Sequence, residues 1–187
     1  INLSQSTNDA YPTAIKMAMV QMNKELVEKL KKTIAAFRQK GIEFNDVIKM
    51  GRTQLQDAVP MTMGQEFEAY AATLEEDISK LNNNAHLFVE INMGATAIGT
   101  GINAPVGYAK LCAKTLAQFS GYPIVSAPNL VEATPDTGSY VIYSSAMKRL
   151  AVKLSKICND LRLLSSGPRA GFFEINLPPM QPGSSIM

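Results

Sequence analysis

PTAIKMAMVQMNKELVEKLKKTIAAFRQKG, residues 12 to 41, decides the fold class. Its apolar residues Ile15, Met19, Met22, Leu26, Leu30, Ile34 and Phe37 follow one another at three or four positions, which lines them up along one side of an α-helix. A strand would need alternation with a period of two. Proline is tolerated in a first helical turn, so Asp9 or Tyr11 ahead of Pro12 marks the start of the helix, and Gly41 marks its end.

The same spacing recurs twice. From Gly64 to about Met93 the stripe is Phe67, Ala71, Leu74, Ile78, Leu81, Ala85 and Phe88. From Thr137 to about Ser165 it is Tyr140, Tyr143, Met147, Leu150, Leu154, Ile157, Leu161 and Leu164. A shorter helix is expected over about 107–120, ending at Gly121. Between these lie segments without helical period. Residues 41–63 read as a loop with short extended pieces, and GATAIGTGINAP, 94–105, as a tight glycine-rich loop. YPIVSAPNLVEATPD, 122–136, and the stretch from Ser166 onward are punctuated by proline. The expectation is an all-α bundle of long helices. Three helices of roughly 25–30 residues are each about 40 Å long. Flanking apolar residues such as Val20, Val27, Ala72, Val141, Ala151 and Cys158 widen the stripes beyond a two-helix contact. Faces that broad need partners, and a homo-oligomer supplies them.

Composition narrows the function classes. The 187 residues carry 18 basic and 16 acidic side chains, a formal charge of +2, with no basic stripe of the kind nucleic-acid backbones require. No apolar run reaches the roughly 20 residues that span a bilayer, so neither nucleic acid nor membrane is expected as a partner. The first residues, INLSQSTND, resemble neither a secretory signal nor a transit peptide, and a cytoplasmic location is expected. Cys112 and Cys158 sit inside apolar-periodic stretches and read as buried free thiols. His86 is the single histidine, so neither a metal constellation nor a Ser-His-Asp set can be assembled around it. The glycines of GTG at 99–101 lack the third glycine and preceding strand of a dinucleotide site, and no cofactor is expected.

What remains is three polar loops. SQSTND, residues 4–9, precedes a helix N-terminus, where free N–H groups and the positive end of the dipole favour an anion. Simple N-capping is the plainer account of the same residues. In GRTQLQDA, 51–58, Arg52, Thr53, Gln54 and Gln56 can grip a carboxylate or amine, or can simply be a solvated loop. GSS, 183–185, is either an oxyanion-stabilising nest or a linker.

Taken in order, SQSTNDAYPTA, GRTQLQDAVPMTMGQE, GATAIGTGIN, KICNDLRLLSSGPRAG, EINLP and GSSIM resemble the aspartase/fumarase superfamily, and within it the aspartase branch, over the whole chain. The resemblance implies an all-α central domain, here residues 1–187, that builds a tetramer around a many-helix core. It implies reversible anti-elimination of ammonia from L-aspartate to give fumarate, with a small dicarboxylate as the substrate. Ser6 and Thr7 would donate to the β-carboxylate, Asn8 would meet the amino group, and Thr53 the α-carboxylate. Ser184 would be the general base, acting as an alkoxide, and Ser185 a further donor to the β-carboxylate. Gln54 stands where fumarases and some aspartases have histidine, which favours an aspartase.

The family pattern continues beyond GSSIM with a substrate-binding lysine and asparagine and adds a hydroxyl donor upstream of SQSTND. It also assembles each site from three subunits. These departures give the expectation that the chain is the central part of a longer enzyme and nearly inactive by itself. Fumarate hydratase, and a non-catalytic helical oligomerisation scaffold, are the alternatives.

Overall fold

The computed structural model describes residues 2–180. The chain runs α1 (Ala10–Glu43), β1 (Ile48–Thr53), β2 (Gln56–Thr62), α2 (Met63–Ala85), a 3-10 turn (His86–Val89), β3 (Glu90–Ile91), α3 (Tyr108–Ser120), β4 (Val125–Ser126), α4 (Leu130–Ala133) and α5 (Gly138–Leu164). The helical fold expected from the three stripes is present. Its contacts divide it into two compact units, one of residues 1–33 and 75–149, the other of 34–74 and 150–187. Among the described residues no helix is long and apolar enough to cross a membrane.

In the first unit, β3 and β4 pair in parallel, Glu90 with Val125 and Ile91 with Ser126. Around them Val89, Ile91, Met93, Ala113 and Ile124 form a core closed by Met17, Val20, Tyr108 and Leu116. The second helix therefore ends at Ala85 rather than near Met93, and His86 opens a 3-10 turn instead of lying on the helix. HLFVEINM keeps its helix-like spacing, but pairing with a strand more than thirty residues later overrides it. Phe88, completely buried, lies against Tyr140 and Tyr143 with ring centroids 5.1 and 5.3 Å away.

On α1 the buried line in this unit is Thr13, Lys16, Asn23, Val27 and Leu30, whereas Met22 of the expected stripe is 64% exposed. Two of the three buried polar side chains are satisfied inside, whereas Thr13 Oγ1 has no hydrogen-bond partner among the described residues. Lys16 Nζ donates to Glu90 O at 2.9 Å, Tyr143 OH to Asn23 Oδ1 at 3.0 Å, and Asn23 Nδ2 to Asn82 Oδ1 at 3.1 Å. Burial lowers the Lys16 ammonium below its ordinary value, with Glu90, Asp136 and Glu132 opposing that shift.

The second unit is built on Phe37, Phe44, Phe67 and Tyr70, whose ring centroids lie 5.6–6.1 Å apart in tilted and edge-on pairs. Here α1 continues past Gly41 to Glu43, a correction to the expected stop. Gly41 serves proximity rather than termination: a Cβ on Gly64 would sit 2.5 Å from the Gly41 carbonyl oxygen, so backbone meets backbone at this point. The non-periodic residues after it form an antiparallel β-hairpin, β1 with β2, with a bulge between Met50 and Arg52. Along α2 and α5 the expected Phe67, Ala71, Leu74, Leu150, Ile157 and Leu164 are buried.

Both cysteines are free thiols, but Cys112 is only partly buried and Cys158 is exposed. Cys158 follows Ile157, and one step along a helix turns a side chain about 100° away from the buried line.

Candidate functional site

The first element of the site is the turn ahead of α1. Asp9, completely buried, accepts hydrogen bonds from four backbone N–H groups. Ser6 N and Ala10 N reach Oδ1 at 2.8 and 2.7 Å, and Gly94 N and Thr96 N reach Oδ2 at 3.2 and 2.9 Å. One carboxylate thus closes the SQSTND turn, lies at the positive end of the helix dipole and ties that turn to the glycine-rich loop. That loop is fixed in turn by Gly99, at φ +97°, where a Cβ would lie 2.3 Å from Val131 Cα.

Ser6 shares in closing this turn, its carbonyl accepting from Ala10 N at 2.9 Å as an N-cap residue does. Ser6 Oγ accepts from Asn8 N at 3.1 Å and keeps its own O–H available to donate. Thr7 is exposed. Asn8 Nδ2 donates to Ala97 O at 2.7 Å, which leaves Oδ1 as an acceptor, and the Asn8 carbonyl is held by Asn92 Nδ2 at 2.9 Å. Two hydroxyl donors beside one amide acceptor match a carboxylate beside an ammonium group.

The second element is the tip of the β1–β2 hairpin, in the other unit. Thr53 pairs with Gln56 across a two-residue turn of Gln54 and Leu55, whose φ angles are +51° and +64°. Both are left-handed, the geometry that Asn-Gly or Asp-Gly adopts with ease. For Gln and especially Leu it costs about 1–3 kcal/mol per residue, and such strain clusters at ligand sites. Leu55 is 64% exposed, so burial of that side chain does not explain the turn. Thr53 and Gln54 are exposed at the tip.

Arg52 is not free to grip a ligand. Its guanidinium donates to Glu174 Oε1 and stacks on Phe172, 3.9 Å from the ring centroid. The hydrogen bond to Glu174 raises the Arg52 pKa above its ordinary value. Near this pair Lys49 bonds Glu66, and Tyr70 OH lies 3.1 Å from Glu66 Oε1 and 3.4 Å from Asp160 Oδ2. Burial first, and those two carboxylates next, push the Tyr70 phenol far up, so it is a fixed donor at any working pH.

The residues expected from sequence therefore fall in two groups. Ser6, Thr7 and Asn8 share one turn in the first unit, and Thr53 and Gln54 share one hairpin tip in the second. Ser184 and Ser185 lie outside the described residues. Asp9, Asn92 and Glu174 were not singled out as site-building residues. Asp9 stood in view as a helix start, whereas Asn92 was hidden by the helical reading of residues 86–93, and nothing local in FFEINLP marks Glu174.

The model of a lyase family matches residues 1–187 of the chain. Aspartate ammonia-lyase of Pseudomonas aeruginosa is 61% identical over 188 residues, covering 100% of this chain and 40% of that protein. Among solved structures, fumarate lyase:delta crystallin from Brucella melitensis has a TM-score of 0.94 at 59% identity, over 100% of this chain and 40% of the other. A class II fumarase from Schistosoma mansoni has a TM-score of 0.91 at 33% identity, over 100% of this chain and 42% of the other. The chain thus spans about 40% of the length of the curated relatives it matches.

Proposed function

Since the chain belongs to this lyase family, the aspartase/fumarase superfamily, we propose that its protein eliminates ammonia from L-aspartate to give fumarate, reversibly. The observation that carries the reading is the division of labour in SQSTND. Ser6 Oγ and the Asp9 carboxylate accept the backbone N–H groups that hold the turn, so the Ser6 O–H, the exposed Thr7 hydroxyl and Asn8 Oδ1 are available to a ligand bearing a carboxylate beside an ammonium. Identity of 61% to an aspartate ammonia-lyase against 33% to a fumarase, with Gln54 in the hairpin tip, supports aspartate over malate.

In the proposed reaction a base removes a proton from the carbon next to the β-carboxylate. The electron pair moves onto that carboxylate and makes it a dianion. Its collapse forms the carbon–carbon double bond as the carbon–nitrogen bond breaks, and ammonia leaves from the opposite face. The dianion is the demanding species, and donors preorganised where its charge develops stabilise it most. Ser6 and Thr7 supply such donors at the N-terminus of α1, Asn8 Oδ1 accepts from the amino group, and Thr53 with Gln54 binds the α-carboxylate. Ser184 takes the proton as an alkoxide, which requires N–H groups and a cation to lower its pKa, and Ser185 donates to the β-carboxylate.

The protein works as a homo-oligomer, a tetramer by family, in the cytoplasm, where its two thiols stay reduced. The test follows fumarate absorbance after L-aspartate is added to the intact protein. A rise is expected, with Thr7→Ala lowering kcat roughly 100-fold or more. The isolated 187-residue chain is expected to be nearly inactive. Production of fumarate from L-malate but not from L-aspartate would replace this reading with a hydratase.

A further inference from the structure

The hairpin tip has little to hold it. All residues from Thr53 to Pro60 are exposed, a two-stranded hairpin is marginal by itself, and the turn residues resist their own conformation. Yet the strand that leads into the tip is gripped by one carboxylate from far along the chain. Glu174, 16% exposed, takes Arg52 Nη2 on Oε1 and lies 3.1 Å from Lys49 Nζ through Oε2. The two cations are themselves only 17% and 6% exposed. Lys49 is anchored again on Glu66 of α2, and the Glu174 backbone N–H donates to Leu164 O at 2.9 Å, fixing the carboxylate to the end of α5. Arg52 directly precedes Thr53, on the tip side of the bulge.

We propose that Glu174 is a positioning residue for the substrate-binding tip: by holding Lys49 and Arg52 it fixes β1 as far as Thr53 and keeps Gln54 and Leu55 left-handed. The kinetic consequence rests on the reading of Thr53 and Gln54 as carboxylate binders, whereas the mechanical one does not. Ion pairs with this little exposure act as clamps because removing one partner leaves buried charge behind: without Glu174, the acidic partners left among the described residues are Asp57 for Arg52, at 4.0 Å, and Glu66 for Lys49.

The test compares Glu174→Gln with Glu174→Asp and Thr53→Ala in the intact protein, by amide hydrogen exchange and by steady-state kinetics on L-aspartate. Exchange at residues 54–56 is expected to rise about tenfold in Glu174→Gln, with α3 unchanged and Glu174→Asp partly restored. The KM for aspartate rises roughly 10- to 100-fold with a smaller change in kcat. Adding Glu174→Gln to Thr53→Ala costs nothing further, because the clamp acts through that residue. Unchanged exchange at the tip, or losses that multiply in the double variant, overturns the assignment. A wild-type protein inert toward aspartate overturns the lyase reading instead, and the exchange comparison then still decides the clamp. Should Glu174→Gln not fold, Arg52→Lys keeps the charge but loses the fork and the stack, and is read by the same exchange measurement.

Discussion

Asp9 shows how much one side chain can organise. It accepts four backbone N–H groups with no exposure to water, so Asp9→Ala strands those donors and is expected to destabilise the protein by about 3 kcal/mol or more, read from the denaturant midpoint. Glu174 gives a prediction with a sign. Burial pushes its carboxyl up, but hydrogen bonds from Arg52 and Lys49 outweigh that and hold it below the ordinary 4.5. A carboxylate with a depressed folded pKa stabilises fully above its unfolded value, and loses that contribution as pH falls through the folded one. Glu174→Gln is therefore expected to flatten the loss of thermal stability below about pH 4.5 and leave the slope above neutrality unchanged. At this scale the polar loop residues were legible, since Ser, Thr and Asn before a helix are few and local. Glu174 was not, because its partners lie 122 and 125 positions away and no sequence period connects them.

Among the elements, α1 departs most from a reading by hydrophobicity. Its buried line contains Thr13, Lys16 and Asn23, the last two made tolerable by Glu90 O, Asn82 and Tyr143, while Met22 points to solvent. Periodicity located the helix and the inward residues Leu30 and Ile34 of its second half, but not the inward face of its first half, where polar partners from other elements decide which residues can be buried. The contact of α1 with α2 at Gly41 and Gly64 makes a second test. Gly64→Ala places a methyl group 2.5 Å from a carbonyl oxygen, and is expected to lower stability by about 1–3 kcal/mol, measured as a drop in Tm. The hairpin was anticipated only as short extended pieces. Its two-residue turn carries no Asn-Gly or Asp-Gly signal and is left-handed in spite of its sequence.

For the whole molecule, the apolar surface left exposed among the described residues supports the proposed homo-oligomer. Val141 is 62% exposed, Val152 61%, Met22 64% and Phe119 88%, in helices whose other faces are buried. Light scattering of the intact protein is expected to give a multiple of the chain mass, and Val141→Glu together with Val152→Glu to reduce it; a wild-type monomer would contradict the argument from these faces. The sequence by itself determined the helical class, the approximate starts of four helices, the ends of three of them and the order of the polar loops, since each depends on periodicity or on short runs of residues. Tertiary structure alone decided that residues 90–91 leave helix for a parallel strand, that Asp9 ties the turn ahead of α1 to Gly94 and Thr96, and that Glu174 grips the strand behind Thr53. Each of those outcomes depends on a partner more than thirty positions distant, and a local pattern carries no information about which partner wins.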